Sequence, residues 1–400
     1  MAAPALFEPL TLGDITIKNR IGMSAMTRNR ADANRVPTEL MKKYYLQRAL
    51  GGAGIIVTEA TLVSAQSCQY DRSPGIWNAE QVAGWRKITN VVHLAGSKIY
   101  CQLWHVGRLG IPDGTDGPEA GIVYAPSAVP ARPDGGCGFH FLPGESGFVV
   151  PKAIHDPRVL VATFKDAAVN AKLAGFDGVE LHAAAGFLVH QFLDSTSNVR
   201  TDAWGGSSEN RARFGLEILK ACVEVFGRNV SLKVSPAGGF NDMGMPLEDT
   251  IKTFSYFVSE ADKLQLSYIT LFRYDTRKAT IVEGSFYLLS TLKTNTVWHT
   301  AQPGKKRGTP HDIIATYAPL IKHAKTFVVG RVTPSEAESL VSSARVDGVF
   351  FGVGWLTHPD LAKRIAHSKR IDNLLAVPHL YGDGRVDPRI GYTDYPAVTY

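Results

Sequence analysis

The chain is poor in cysteine, with four among 400 residues. Cys68, Cys101, Cys137 and Cys222 stand too far apart for a Cys-x-x-Cys metal or redox pair and are too few to staple a chain of this length, which fits a reducing compartment. Long apolar runs are missing as well: no eighteen consecutive apolar residues occur, so the sequence offers no membrane span. The opening MAAPALFEPLTLGD has no basic segment and meets Pro9 before an apolar run develops, which speaks against a cleaved signal. The final Ala-Val-Thr-Tyr matches no retention or lipidation signal. The expectation is a cytoplasmic protein with no membrane partner. Charge of one sign is scarce: 43 Lys+Arg against 37 Asp+Glu leave a net +6, short of a nucleic-acid footprint, so no nucleic-acid partner is expected. The one dense basic run, Lys305-Lys306-Arg307, reads as a solvated loop. There is no Walker loop, internal repeat or low-complexity tract, and Gly352-Val353-Gly354 is too short for a dinucleotide fingerprint.

What is present is a regular alternation. Short runs rich in β-branched residues occupy Ile21–Met26, Gly54–Leu62, Lys98–His105, Gly178–Ala184, Val230–Ser235, Leu266–Phe272, Thr326–Gly330 and Gly348–Gly352. Helical patterns lie between them at Thr38–Leu50, Ala79–Ala95, Val159–Ala174, Ser208–Phe226, Leu247–Lys263, His311–His323 and Pro334–Ser343. Eight strands alternating with seven helical stretches predict an α/β fold, a (β/α)8 TIM barrel forming one domain over residues 1–400. An open doubly wound sheet is the alternative, because periodicity does not show closure. Two connections exceed ordinary loops, 106–156 and 273–310, and in a barrel both would overhang the C-terminal mouth. Within the first, the apolar runs Gly121–Ala125 and Phe148–Ile154 are expected to pair as a hairpin.

In a barrel, chemistry sits at the C-terminal strand ends. There the sequence places Thr27-Arg28, Gln102-Leu103-Trp104-His105, Glu180-Leu181-His182 and Lys233-Val234-Ser235. These supply a hydroxyl, an amide, an imidazole and a cation, without the carboxylate cluster of a metal site or a glycosidase. No metal is expected. A lone histidine is usually a satisfied core residue, but a strand-end position beside Gln102 and Lys233 favours a functional role for His182. After strand seven, Gly330-Arg331-Val332-Thr333-Pro334-Ser335-Glu336 reads as a strand end running into a capped helix, with Thr333 as cap, Pro334 at the first helical position and Glu336 closing a capping box. Free backbone N–H groups there suit a phosphate, while a purely structural cap reads the same way.

Several stretches carry a resemblance: Leu6–Leu10, Lys18–Ile21, Pro74–Trp77, Gln102–His105, Gly391–Pro396, and above all Asn198–Phe214, which reads NVRTDAWGGSSENRARF. With these the chain resembles the Old Yellow Enzyme family of FMN-dependent ene-reductases over essentially its whole length. The resemblance implies an FMN site at the barrel mouth, NADPH or NADH as hydride donor, a small-molecule substrate, and a monomer or homodimer. It implies flavin contacts from Ala25, Met26, Thr27, Ala60, Gln102, His182 and Lys233. Thr27 falls at the O4 edge, Gln102 at the pyrimidine edge, and Lys233 near N1 and O2, where the family has arginine. Gly330, Arg331, Gly352 and Val353 fall on the phosphate loops. His182 would donate to the substrate carbonyl, Tyr381 is a candidate catalytic hydroxyl, and Trp104, Ala185 and Phe187 would line the substrate pocket.

Three departures stand out. The family pattern calls for asparagine or histidine at 185, tyrosine at 187 and arginine at 353; this chain has Ala185, Phe187 and Val353. Loss of an oxyanion donor typically costs about 10²–10³ in rate and loss of a general acid about 10²–10⁴. Three readings follow: an ene-reductase with an atypical proton donor acting on an α,β-unsaturated carbonyl or iminium; a redox-neutral double-bond isomerase; or a flavin-free binding descendant.

Overall fold

The computed structural model describes residues 4–66, 68, 70–112, 121–131, 149–273, 308–382 and 387–400. Eight parallel strands build its centre: β1 (Ile21–Met23), β2 (Ile55–Val57), β3 (Lys98–Trp104), β4 (Gly178–Ala183), β5 (Val230–Val234), β6 (Tyr268–Phe272), β7 (Lys325–Val329) and β8 (Gly348–Phe351). Each pairs with its neighbour in chain order, β8 pairs with β1 and β2 with β3, so the sheet closes into a barrel. Closure decides between the two architectures the sequence allowed. The strands are apolar on both faces because one face meets the barrel interior and the other the helices, as parallel sheets require.

The helices are α1 (Glu39–Leu50), α2 (Ala79–Leu94), α3 (Pro157–Leu173), α4 (Ser208–Phe226), α5 (Leu247–Asp262), α6 (Ile313–Tyr317), α7 (Pro334–Ser342) and α8 (Leu361–Ala366), with two further short helices among the described residues at Leu188–Leu193 and Val353–Thr357. Local chemistry sets their starts: the side chains of Thr38, Asn78, Asp156, Ser207, Asp312 and Thr333 each accept a backbone N–H of the first turn. α6 is shorter than its pattern suggests. Pro319 stops it, and a 3-10 turn over Ala318–Leu320 follows.

Other expectations need correction. The second strand is interrupted after Val57 and resumes as Thr61–Leu62 against Leu103 and Trp104; at the break the Glu59 carboxylate takes the backbone N–H groups of Arg28 and Asn29. The runs around 124 and 152 do pair, but in parallel, with Tyr124 opposite Lys152 and Ala125 opposite Ala153; they form no hairpin. Residues 113–120, 132–148 and 274–307, which make up much of the two long connections and include Cys137 and Lys305-Lys306-Arg307, lie outside the described residues. A hairpin of Leu10–Leu12 and Ile15–Ile17, absent from the strand pattern above, closes the N-terminal end of the barrel. Its Leu10, Leu12 and Ile17 join the interior cluster of Ile55, Tyr100, Tyr268, Phe327 and Phe350. That end is packed solid, which leaves the opposite end for a ligand.

The C-terminal tail crosses back to β1. Arg28 donates to the carbonyls of Leu380 and Gly391, and Arg30 to those of His379, Leu380 and Pro388. The rings of Tyr44 and Tyr392 stack at 4.1 Å, with Arg28 and Arg48 against Tyr44 and Arg28 and Arg30 against Tyr392. Among the described residues, no helix is long and apolar enough to cross a membrane.

Candidate active site

A cavity of about 550 Å³ opens at the C-terminal ends of the strands. After β1, Ala25, Met26 and Thr27 line it; β5 contributes Lys233, the β7 end Gly330 and Arg331, the β8 end Gly352 and Val353, and the tail Tyr381. Phe240 and Phe272 complete an apolar side. The structure thus brings together nine of the residues singled out from the sequence. Gly330 and Arg331 both adopt left-handed backbone, with φ of 120° and 48°, turning the chain sharply away from β7. Val353 is 58% exposed at the start of a short helix, Val353–Thr357.

Ala60, Gln102, Trp104, His182, Ala185 and Phe187 do not line this cavity; they sit beside it in the barrel mouth. Gln102 is opposite Glu180 on β4, and His182 is opposite Lys233 on β5. Gln102 Nε2 donates to Glu180 Oε1 at 2.7 Å, and Lys233 Nζ donates to Ser24 Oγ at 3.0 Å. His182 is 8% exposed; burial, then Lys233, pushes its pKa well below the usual histidine range, so it is a neutral imidazole. Its Nδ1 makes no hydrogen bond among the described residues, nor does the indole Nε1 of Trp104. Buried polar atoms of this kind usually have a partner, so both are open to a ligand. Phe187 stands between them, its ring centroid 5.0 Å from that of His182 and 5.0 Å from that of Trp104.

Burial lowers the Lys233 pKa, with Glu180 acting against it; burial raises that of Glu180. Ala185 holds φ of 55°, its N–H bonded to Ser235 Oγ and its carbonyl to Asn241 Nδ2. Ala60 and Trp104 belong to a separate apolar cluster with Leu62, Cys68 and Leu109, against which Tyr70 and Phe187 pack. Tyr70 stacks on Tyr381 at 5.6 Å and so joins that cluster to the cavity. Tyr70, Phe240, Phe272 and Glu180 escape the sequence reading. The first three contact the site only through folding, and Glu180 reads as an ordinary residue of a strand.

Among the described residues no cluster of His, Cys, Asp or Glu could hold a metal. A closed barrel with an aromatic-walled mouth cavity, a buried lysine and two strand-end loops suited to an anion defines a barrel enzyme built for an anionic aromatic cofactor. Residues 5–372 match the NADH:flavin oxidoreductase / NADH oxidase family. The chain belongs to that family, the Old Yellow Enzyme family, and is an NAD(P)H-dependent FMN oxidoreductase. Among its relatives, the NADP-dependent oxidoreductase lnbE of Aspergillus flavus is 35% identical, covering 98% of this chain and 96% of its own. A probable inactive reductase easA of Epichloe festucae var. lolii is 34% identical, covering 91% and 89%. The solved old yellow enzyme homologue from Zymomonas mobilis superposes with a TM-score of 0.84 at 29% identity, covering 99% of this chain and 100% of its own.

Proposed function

We propose that the chain reduces a C=C bond conjugated to a carbonyl or iminium in a small-molecule substrate, using a proton-donor site in which Phe187 stands where the family pattern has tyrosine. One observation carries this reading: Thr27, Lys233, Gly330, Gly352 and Tyr381 converge on a single cavity beside a neutral His182 with an unpartnered nitrogen. The donor set fits FMN, which when bound supplies hydride to the alkene. Thr27 and Gln102 would hold the polar edges of the ring, with Ala25, Met26 and Ala60 as its apolar surroundings. Lys233 places a cation where charge collects, and the backbone N–H groups of Gly330, Arg331, Gly352 and Val353 would bracket the phosphate. His182, being neutral, polarises the substrate oxygen by a hydrogen bond and gives up no proton. Trp104, Ala185 and Phe187 wall the substrate, and Tyr381, which lines the cavity, is a candidate acid. The protein is then a cytoplasmic monomer or homodimer taking NADPH or NADH.

Phe187 favours a second reading. A phenyl ring between His182 and Trp104 cannot protonate an α-carbon, so a hydride given to the β-carbon can be taken back from it after rotation about the Cα–Cβ bond, and the double bond is isomerised without net reduction. Retention of Thr27, Gln102, His182 and a cation at 233 argues for flavin chemistry over the flavin-free reading.

Purified protein should show a visible flavin band that NADPH bleaches without oxygen. His182→Ala should keep the band and lose turnover of carbonyl-activated alkenes by about 10²–10³. A colourless protein that cannot be reconstituted with FMN overturns the proposal, and unchanged turnover in His182→Ala overturns the role of that residue.

A further inference from the structure

Glu180 has no part in the reading above. It lies two residues before His182 on β4, so both side chains face the barrel interior. It is 1% exposed, its Oε1 accepts from Gln102 Nε2 at 2.7 Å, and its Oε2 lies 3.5 Å from the Thr270 hydroxyl. Lys233 on the adjacent strand donates to Ser24 instead of to Glu180, yet Glu180 is the acid that supports its charge. Stability does not explain this carboxylate, since well-packed apolar residues commonly replace buried opposite charges at no loss. Its position does suggest a role: it is one hydrogen bond away from the amide placed at the flavin pyrimidine edge.

We infer that Glu180 tunes the bound flavin, its negative charge, carried behind Gln102, opposing that of Lys233 and holding the reduction potential below the value Lys233 alone would set. The inference rests on the proposed flavin site. Hydride from NAD(P)H brings two electrons and one proton to the ring, and therefore one added negative charge. A carboxylate fixed behind Gln102 disfavours that charge, and the Lys233 ammonium favours it. Glu180 thereby makes the reduced cofactor a stronger hydride donor to the alkene and the oxidised one a weaker acceptor from NAD(P)H.

Glu180→Gln isolates the charge, because the new amide oxygen still accepts from Gln102. In FMN-loaded protein the midpoint potential, read against a reference dye, should move positive in Glu180→Gln and negative in Lys233→Met. It should return toward the starting value in the double variant. The hydride-transfer equilibrium should change on the order of 10-fold or more, as for removal of one charge at an effective dielectric constant of about 20. A loaded Glu180→Gln whose potential is unmoved or more negative overturns the inference and leaves the flavin site intact. A chain that never binds FMN instead overturns the proposed function. If Glu180→Gln does not fold, the double variant, which buries neither charge, is compared with Lys233→Met; equal potentials in those two also overturn the inference.

Discussion

Ala185 and Phe187 occupy positions where a hydrogen-bond donor and a proton donor would each change the chemistry. The left-handed backbone at 185 is one that asparagine adopts readily, so the fold has kept the geometry while the side chain offers only a methyl group. Phe187→Tyr should raise net reduction of a simple enone such as cyclohexenone by about 10²–10⁴ if protonation limits the reaction. Stopped-flow oxidation of reduced flavin by the enone measures this, and a rate equal to that of the parent protein places the limit elsewhere. Thr27, His182 and Lys233 were legible in the sequence because polar residues at strand ends stand out against apolar strands. Glu180 was legible only as a strand residue on the His182 face; that Gln102 stands opposite it comes from the pairing of β3 with β4, which the sequence does not show.

At the level of elements, the loops after β7 and β8 line one side of the cavity and are the proposed seat of the phosphate. Val353 at the second loop adds no charge; on the first, Arg331 lines the cavity and the Arg273 guanidinium donates to the Gly330 carbonyl. Val353→Arg should tighten FMN about 10-fold, equivalent to about 1.4 kcal/mol. Quenching of flavin fluorescence on titration reports the dissociation constant, and an unaltered constant would show the phosphate held away from this helix start. The barrel strands and most helices were readable to within a few residues, because capping side chains and apolar runs are local signals. Pairing direction was not: Tyr124 and Lys152 are joined in parallel. The N-terminal hairpin was readable in principle, since Leu10–Leu12 and Ile15–Ile17 alternate about Gly13-Asp14, but three-residue strands give a weak signal.

For the molecule as a whole, buried histidines govern acid stability. Burial lowers the pKa of His105 from 6.5 to about 3 and that of His190 from 6.5 to about 4, and takes His182 well below 6.5. The unfolded chain therefore binds protons below pH 6.5 that the folded chain refuses, and stability falls with pH from there toward each folded value, by up to about 1.4 kcal/mol per pH unit per histidine. Glu59 and Glu180, raised by burial, act in the opposite direction but are fewer. The urea midpoint should be lower at pH 5 than at pH 7.5, and a higher one at pH 5 would contradict this balance. The arginine clamp on the tail has a bearing on biosynthesis. The bond from Arg28 to the Gly391 carbonyl spans 363 residues, and the residue before Arg28 lines the cavity, as does the one after Leu380. A ribosome making this chain in order can complete most strands and helices as they emerge, but the cavity wall waits for the tail, so a nascent chain can assemble its barrel well before it can hold its cofactor.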